Sequence, residues 1–242
     1  RRRRPRRRPW RPSAPTSVNI VVCIKHTPSS TSVAVDTATG AVKTEGLPFG
    51  INPLDEYAVE EALRIRERIA GSKVFVLSFG PAAAEESIRS ALALGCDEGV
   101  LLSDSAFSGG DSYATAYLLA QAVRKLSCEA PVGLVLCGKQ TNDGESGSVG
   151  PLVAAWLKWP SAAFVKKTVE VSKSHVVVER GMEDGTDTLK LALPGVLCVT
   201  KEINEPRLPS LKGKMAARKA ALRKWGAAEF SAEAAYFGAN VP

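Results

Sequence analysis

Four short apolar runs, each followed by a helix-patterned or turn-rich segment, constrain this 242-residue chain more than any other feature. Val18 to Ile24, Lys73 to Ser78, Gly99 to Leu102 and Val132 to Cys137 are rich in Val, Ile and Leu, with little polar alternation. That is the pattern of strands covered on both faces. Between the first two, Asn52-Pro53 opens a helix. Asn52 is placed to cap it, Pro53 suits its first position, and Asp55 and Glu56 complement the helix dipole. Tyr57, Ala58, Ala62, Leu63 and Ile65 give that helix an inward stripe. Further helices are predicted over 82–94, closed by Gly95, and over 113–126. Ser32 to Asp36 and Ala41 to Thr44 read as a small hairpin. The alternation implies an α/β fold: a mostly parallel sheet with helices on both faces.

The fourth run ends in Gly138-Lys139-Gln140-Thr141-Asn142-Asp143-Gly144-Glu145-Ser146-Gly147-Ser148-Val149-Gly150-Pro151, and Leu152 to Leu157 then read as a helix. A glycine- and hydroxyl-rich loop between a strand end and a helix start presents backbone N–H groups and a positive dipole to an anion. A nucleotide phosphate is the expected guest, with Ser146 and Ser148 as added donors. The loop is neither a Walker A sequence nor a G-x-G-x-x-G fingerprint. An ordinary strand-to-helix turn accounts for the composition equally well. Phe107-Ser108-Gly109-Gly110-Asp111-Ser112 is a second polar, glycine-bearing loop before a helix.

Beyond Trp159-Pro160 the pattern changes. Residues 164–171, 174–180 and 186–193 alternate apolar and polar, as antiparallel strands do, and Gly195 to Thr200 returns to a buried strand. The expected organisation is a tail at 1–17, a nucleotide-binding α/β domain at 18–205 with an antiparallel extension at about 161–193, and a basic C-terminal arm at 206–242.

The net charge of +7 misdirects, because residues 1–12 hold eight arginines and no acid; without them the remainder stands at −1. The basic tail is expected to be disordered, and translated upstream sequence is its plainest reading. A nucleic-acid-binding role would rest on that tail alone, so none is expected. No apolar run approaches the roughly 20 residues of a membrane helix, and no signal-peptide core follows the basic start. The five cysteines form no C-x-x-C pair, which points to a reducing, cytoplasmic setting. His26 and His175 lie far apart in sequence and suggest neither a metal site nor a triad.

Several separated motifs, in order, resemble one family. Asn52-Pro53 with Ala58-Val59-Glu60-Glu61-Ala62, Ser78-Phe79-Gly80-Pro81, Gly138-Lys139-Gln140, and Asn204-Glu205-Pro206-Arg207 with Leu211 and Met215 are similar to the β subunit of electron-transfer flavoproteins, over about residues 18–225. The resemblance implies an adenine-nucleotide-hydrolase-like fold paired with an α subunit. It also implies AMP in this subunit, or a second FAD in the bifurcating branch, where NADH is the donor. Residues 107–115, Asp143 to Ser146 and Val149-Gly150-Pro151 resemble the bifurcating branch. Glu145-Ser146-Gly147-Ser148 departs from that branch's usual Asp-Thr-Ala-Gln. A nucleotide-binding stress or signalling module is the reading of another class, and the strands and basic arm after Pro160 argue against it.

Carried over residue by residue, the resemblance implies cofactor contacts at Cys23, Asn52, Phe79, Asp111, Ser112 and Thr115, and along Gly138, Lys139, Gln140, Asp143, Gly144, Glu145, Ser146, Gly147, Ser148, Val149 and Gly150. Core packing explains Cys23 equally well, and an edge packing role is the alternative for Phe79. Asp111 suits ribose hydroxyls better than phosphate, since like charges repel. No general acid or base is implied, because flavin chemistry belongs to the cofactor. Leu211, with Met215, matches the leucine that anchors an acyl-CoA dehydrogenase; docking onto the α subunit is the alternative.

Overall fold

The computed structural model describes residues 17–29, 34–38, 42–43, 46–229 and 233–238. The basic tail, and parts of the small hairpin and of the C-terminus, lie outside them. In chain order the elements are β1 (Asn19–Ile24), β2 (His26–Pro28), β3 (Ala34–Val35), β4 (Val42–Lys43), β5 (Phe49–Ile51), α1 (Pro53–Arg68), β6 (Val74–Phe79), α2 (Glu85–Leu94), β7 (Glu98–Leu102) and α3 (Ser112–Glu129). Then come β8 (Val132–Gly138), α4 (Val149–Leu157), β9 (Ser161–Val171), β10 (His175–Met182), β11 (Gly185–Ala192), β12 (Gly195–Val199), α5 (Leu211–Lys219) and β13 (Leu222–Trp225).

Nine strands form one sheet in the order β11-β10-β9-β12-β8-β1-β6-β7-β13. The pairs from β9 through β13 are parallel, and only β9–β10 and β10–β11 are antiparallel. The α/β class and its antiparallel extension are therefore as the pattern predicts. The extension is continuous with the main sheet, because β9 also pairs in parallel with β12.

Strand β1 shows why its run is apolar throughout. Ile20, Val22 and Ile24 join one core with the inward residues of α1 and α2, while Val21 and Cys23 join the other with α3 and α4. All six residues of the strand are buried. Period-two alternation thus feeds two cores, and helices must cover both faces.

The C-terminal arm carries two elements that the sequence did not advertise. Helix α5 packs on α2 so closely that a Cβ on Gly213 would lie 2.3 Å from the Ala93 carbonyl. Arg89 of α2 donates to the carbonyls of Ala217 and Ala220. Strand β13 then extends the sheet beside β7, and Trp225 is buried against the second core. Upstream, Arg207 clamps the arm to α1: it donates to both oxygens of buried Glu60, at 2.7 and 3.2 Å, and to Glu67. Burial pushes the Glu60 carboxyl up, yet Arg207 and Arg64 together hold it below the usual carboxylate range.

Candidate functional site

The chain runs from β1 outward through β6 and β7, then returns to the other side of β1 as β8. The order reverses between β1 and β8. In an open α/β sheet, ligands bind outside the carboxyl ends of the strands at such a switch point. A cleft of about 480 Å³ opens there. Its walls come from the ends of β1 (Cys23 to His26), β6 (Phe79 to Pro81) and β8 (Cys137 to Gln140), and from the starts of α3 and α4.

Two helix starts meet in this cleft and differ in one respect. Asp111 caps α3, its Oδ1 accepting from the N–H groups of Tyr113 and Ala114 at 2.8 and 3.0 Å. Helix α4 has no side-chain cap at all. Its first two residues, Val149 and Gly150, line the cleft. The hydroxyls of Ser112 and Ser148 donate to Ser146 Oγ at 3.3 and 3.1 Å, gathering three hydroxyls where α3 and α4 begin. An anion at that point would supply the missing cap. Gly150 allows the close approach that brings α4 there: a Cβ on it would lie 2.3 Å from Cys198 Sγ.

Of the residues implied by the resemblance, most line the cleft: Cys23, Phe79, Asp111, Ser112, Thr115, Gly138 to Gln140, Gly144, Ser146, Gly147, Val149 and Gly150. Four do not. Glu145 stands in the left-handed conformation (φ 48°) within the loop. Ser148 serves through its bond to Ser146. Asp143 pairs with Lys25 at 2.6 Å; burial pushes its carboxyl up, but Lys25 and Thr141 hold it below its ordinary value. Asn52 is fully buried behind the loop. Its side chain does not cap α1, which corrects the sequence expectation. Instead Asn52 Nδ2 donates to the Gln140 carbonyl, and Asn52 Oδ1 accepts from Asn142 N, both at 3.0 Å. The Asn52 side chain thus serves the half-buried backbone groups of the loop rather than the helix start.

Sequence reasoning missed Asp55, Lys25 and His26. Asp55 Oδ1 accepts from Gly138 N at 3.0 Å, and Oδ2 from Lys25 N at 2.8 Å. It therefore ties together the ends of β8 and β1 and the start of α1. A Cβ on Gly138 would meet Asp55 Oδ1 at 2.5 Å, so glycine is required for that contact. Leu211 and Met215 are on α5, outside the cleft and exposed at 77% and 56%.

The fold and cleft define an α/β protein with an open cleft at the switch point of its mostly parallel sheet. Residues 39–230 match the family described as Electron transfer flavoprotein domain, and the chain belongs to that family, as a β subunit. It is 44% identical over 196 residues to the "Electron transfer flavoprotein subunit beta" of Thermoanaerobacterium thermosaccharolyticum, covering 81% of this chain and 73% of that protein. It is 38% identical over 208 residues to the "Caffeyl-CoA reductase-Etf complex subunit CarD" of Acetobacterium woodii, covering 86% and 78%. It is 38% identical over 207 residues to "Protein FixA" of Azotobacter vinelandii, covering 85% and 73%. Among the described residues, no helix is long and apolar enough to cross a membrane.

Proposed function

We propose that this chain works as the β half of a heterodimer with an electron-transfer flavoprotein α subunit, and that its cleft holds the adenosine phosphate part of a second FAD. In this reading the pair carries electrons from a nicotinamide donor to two acceptors by flavin-based bifurcation. The observation that carries it is the uncapped start of α4 beside three clustered hydroxyls at the switch point. Phe79 and Pro81 on the same cleft add an apolar surface for a heteroaromatic ring. The flavin, when bound, supplies the redox chemistry. The chain's own residues grip the phosphate, position the ring and hold the β1 and β8 ends in place. The likeness to a β subunit and to a subunit of a reductase–Etf complex supports the reading.

Extracting the assembled pair distinguishes the branches. Two FAD per heterodimer is the expected result. One FAD and one AMP would make this a non-bifurcating carrier, and a pair without either nucleotide would overturn the proposal.

We propose further that Leu211 anchors a redox partner such as an acyl-CoA dehydrogenase. Leu208, Leu211 and Met215 leave a run of exposed apolar surface beside Lys212 and Lys219, and an exposed apolar anchor filling a partner's pocket gives small interfaces their affinity. Leu211→Ala is expected to slow electron delivery to that partner about tenfold or more, the effect of losing roughly 1.4 kcal/mol, with flavin content unchanged. Transfer at the wild-type rate would remove Leu211 from the interface.

A further inference from the structure

His26 begins β2, immediately after the carboxyl end of β1, and lines the cleft. Two contacts fix its ring. Nδ1 lies 2.8 Å from the hydroxyl of Ser87, a buried residue of α2. The ring stacks on Phe49 of β5, with centroids 5.0 Å apart and planes inclined at 26°. Strands β2 and β5 pair, with His26 opposite Ile51 and Phe49 opposite Pro28, so the two rings sit on one short ribbon. The other nitrogen, Nε2, has no hydrogen-bond partner among the described residues. A ring clamped at one nitrogen and one face, on a residue that lines the cleft and whose second nitrogen has no partner among the described residues, is built like a ligand contact.

The two sides of the cleft differ in chemistry. The serine cluster and the uncapped helix belong to the α3–α4 layer, where an anion is favoured. His26 is tethered to the opposite layer through α2, the helix that follows Phe79, Gly80 and Pro81 in the chain. We infer that His26 is a binding and specificity residue of the cleft, its Nε2 hydrogen-bonding the uncharged polar edge of the nucleotide (the base) rather than the phosphate. This rests on the nucleotide reading above and deepens it. Burial lowers the His26 pKa, partly offset by the charge of Glu86. Burial thus disfavours the charged imidazolium, and the neutral ring suits a neutral partner better than an anion.

The test uses the full chain assembled with its α subunit and stripped of nucleotide. AMP and FAD are titrated into wild type, His26→Ala, His26→Asn and His26→Gln, and inorganic phosphate is used as a competitor. Asn keeps an amide near the place of Nδ1, facing Ser87. Gln reaches to the place of Nε2. The nucleotide Kd is expected to rise about tenfold in the Ala and Asn variants, the scale of one lost hydrogen bond, and to stay within about threefold in Gln. Competition by phosphate is expected to be unchanged in all four proteins. Three results would overturn the inference: wild-type affinity in the Ala variant, rescue by Asn but not by Gln, or an equal loss of phosphate competition. The second of these would make the ring a packing element held for Ser87. A wild-type pair that binds neither AMP nor FAD would instead overturn the nucleotide reading, and this inference with it.

Discussion

Replacing Asp55 with Ala is expected to lower the unfolding free energy by about 2–4 kcal/mol, because it leaves two half-buried backbone donors without their side-chain partner. Those donors, the N–H groups of Lys25 and Gly138, end two different strands and border the cleft. Asp55 is buried. Burial pushes its pKa from 3.8 up to about 7, against the lowering pull of the Lys25 N–H, Asn52, the Gly138 N–H and the Lys25 charge. The folded chain therefore holds this proton more tightly than the unfolded chain. The stability that protonation contributes is complete below the unfolded value of 3.8 and is lost as pH rises through about 7. Asp55→Asn cannot titrate. Its stability deficit relative to wild type should shrink between about pH 4 and pH 7, by at most about 1.4 kcal/mol per pH unit. Urea unfolding of both proteins across that range measures the gap. Parallel curves would mean that Asp55 stays ionised in the fold.

Gly144→Val is expected to weaken nucleotide binding by about a hundredfold, roughly 2.7 kcal/mol, while the melting temperature stays within a few degrees of wild type. Gly144 lines the cleft, and a Cβ there would meet only Thr141 Oγ1, at 3.7 Å, an ordinary contact. The fold accommodates the side chain; the cleft loses the space. Gly150 would be a poor choice for the same experiment, since its Cβ would overlap Cys198 Sγ and disturb the packing of α4 on the sheet. Undiminished nucleotide retention in Gly144→Val would move the binding site away from the β8–α4 loop.

What the sequence made legible follows from the range of each signal. The buried strands stand out because β1, β6, β7 and β8 are covered on both faces and so carry unbroken apolar runs. The loop from Gly138 to Gly150 stands out because close backbone approach at a helix start demands small residues over consecutive positions. Asp55 did not stand out as a site residue. An acid in the first turn of a helix looks like a dipole complement, and its actual partners lie 30 and 83 residues away. His26 is fixed by Ser87, 61 residues distant, and by Phe49. Strand β13 was hidden for a different reason. Leu222-Arg223-Lys224-Trp225 reads as a charged segment, but at the sheet edge its cations are matched from outside: Arg223 pairs with Glu98 and Glu129, and Lys224 with Glu85. Those acids lie on β7, α3 and α2, so the pairing becomes visible only once the sheet is assembled.

The most direct measurement is a diffraction map of this chain assembled with its α subunit, read where α4 begins. Density for a phosphate should lie within hydrogen-bonding distance of the Val149 and Gly150 N–H groups and the Ser146 hydroxyl, continuous with an adenosine along the wall of Phe79. Solvent alone at that helix start, with the nucleotide bound to the partner only, would contradict the role assigned to this half of the pair.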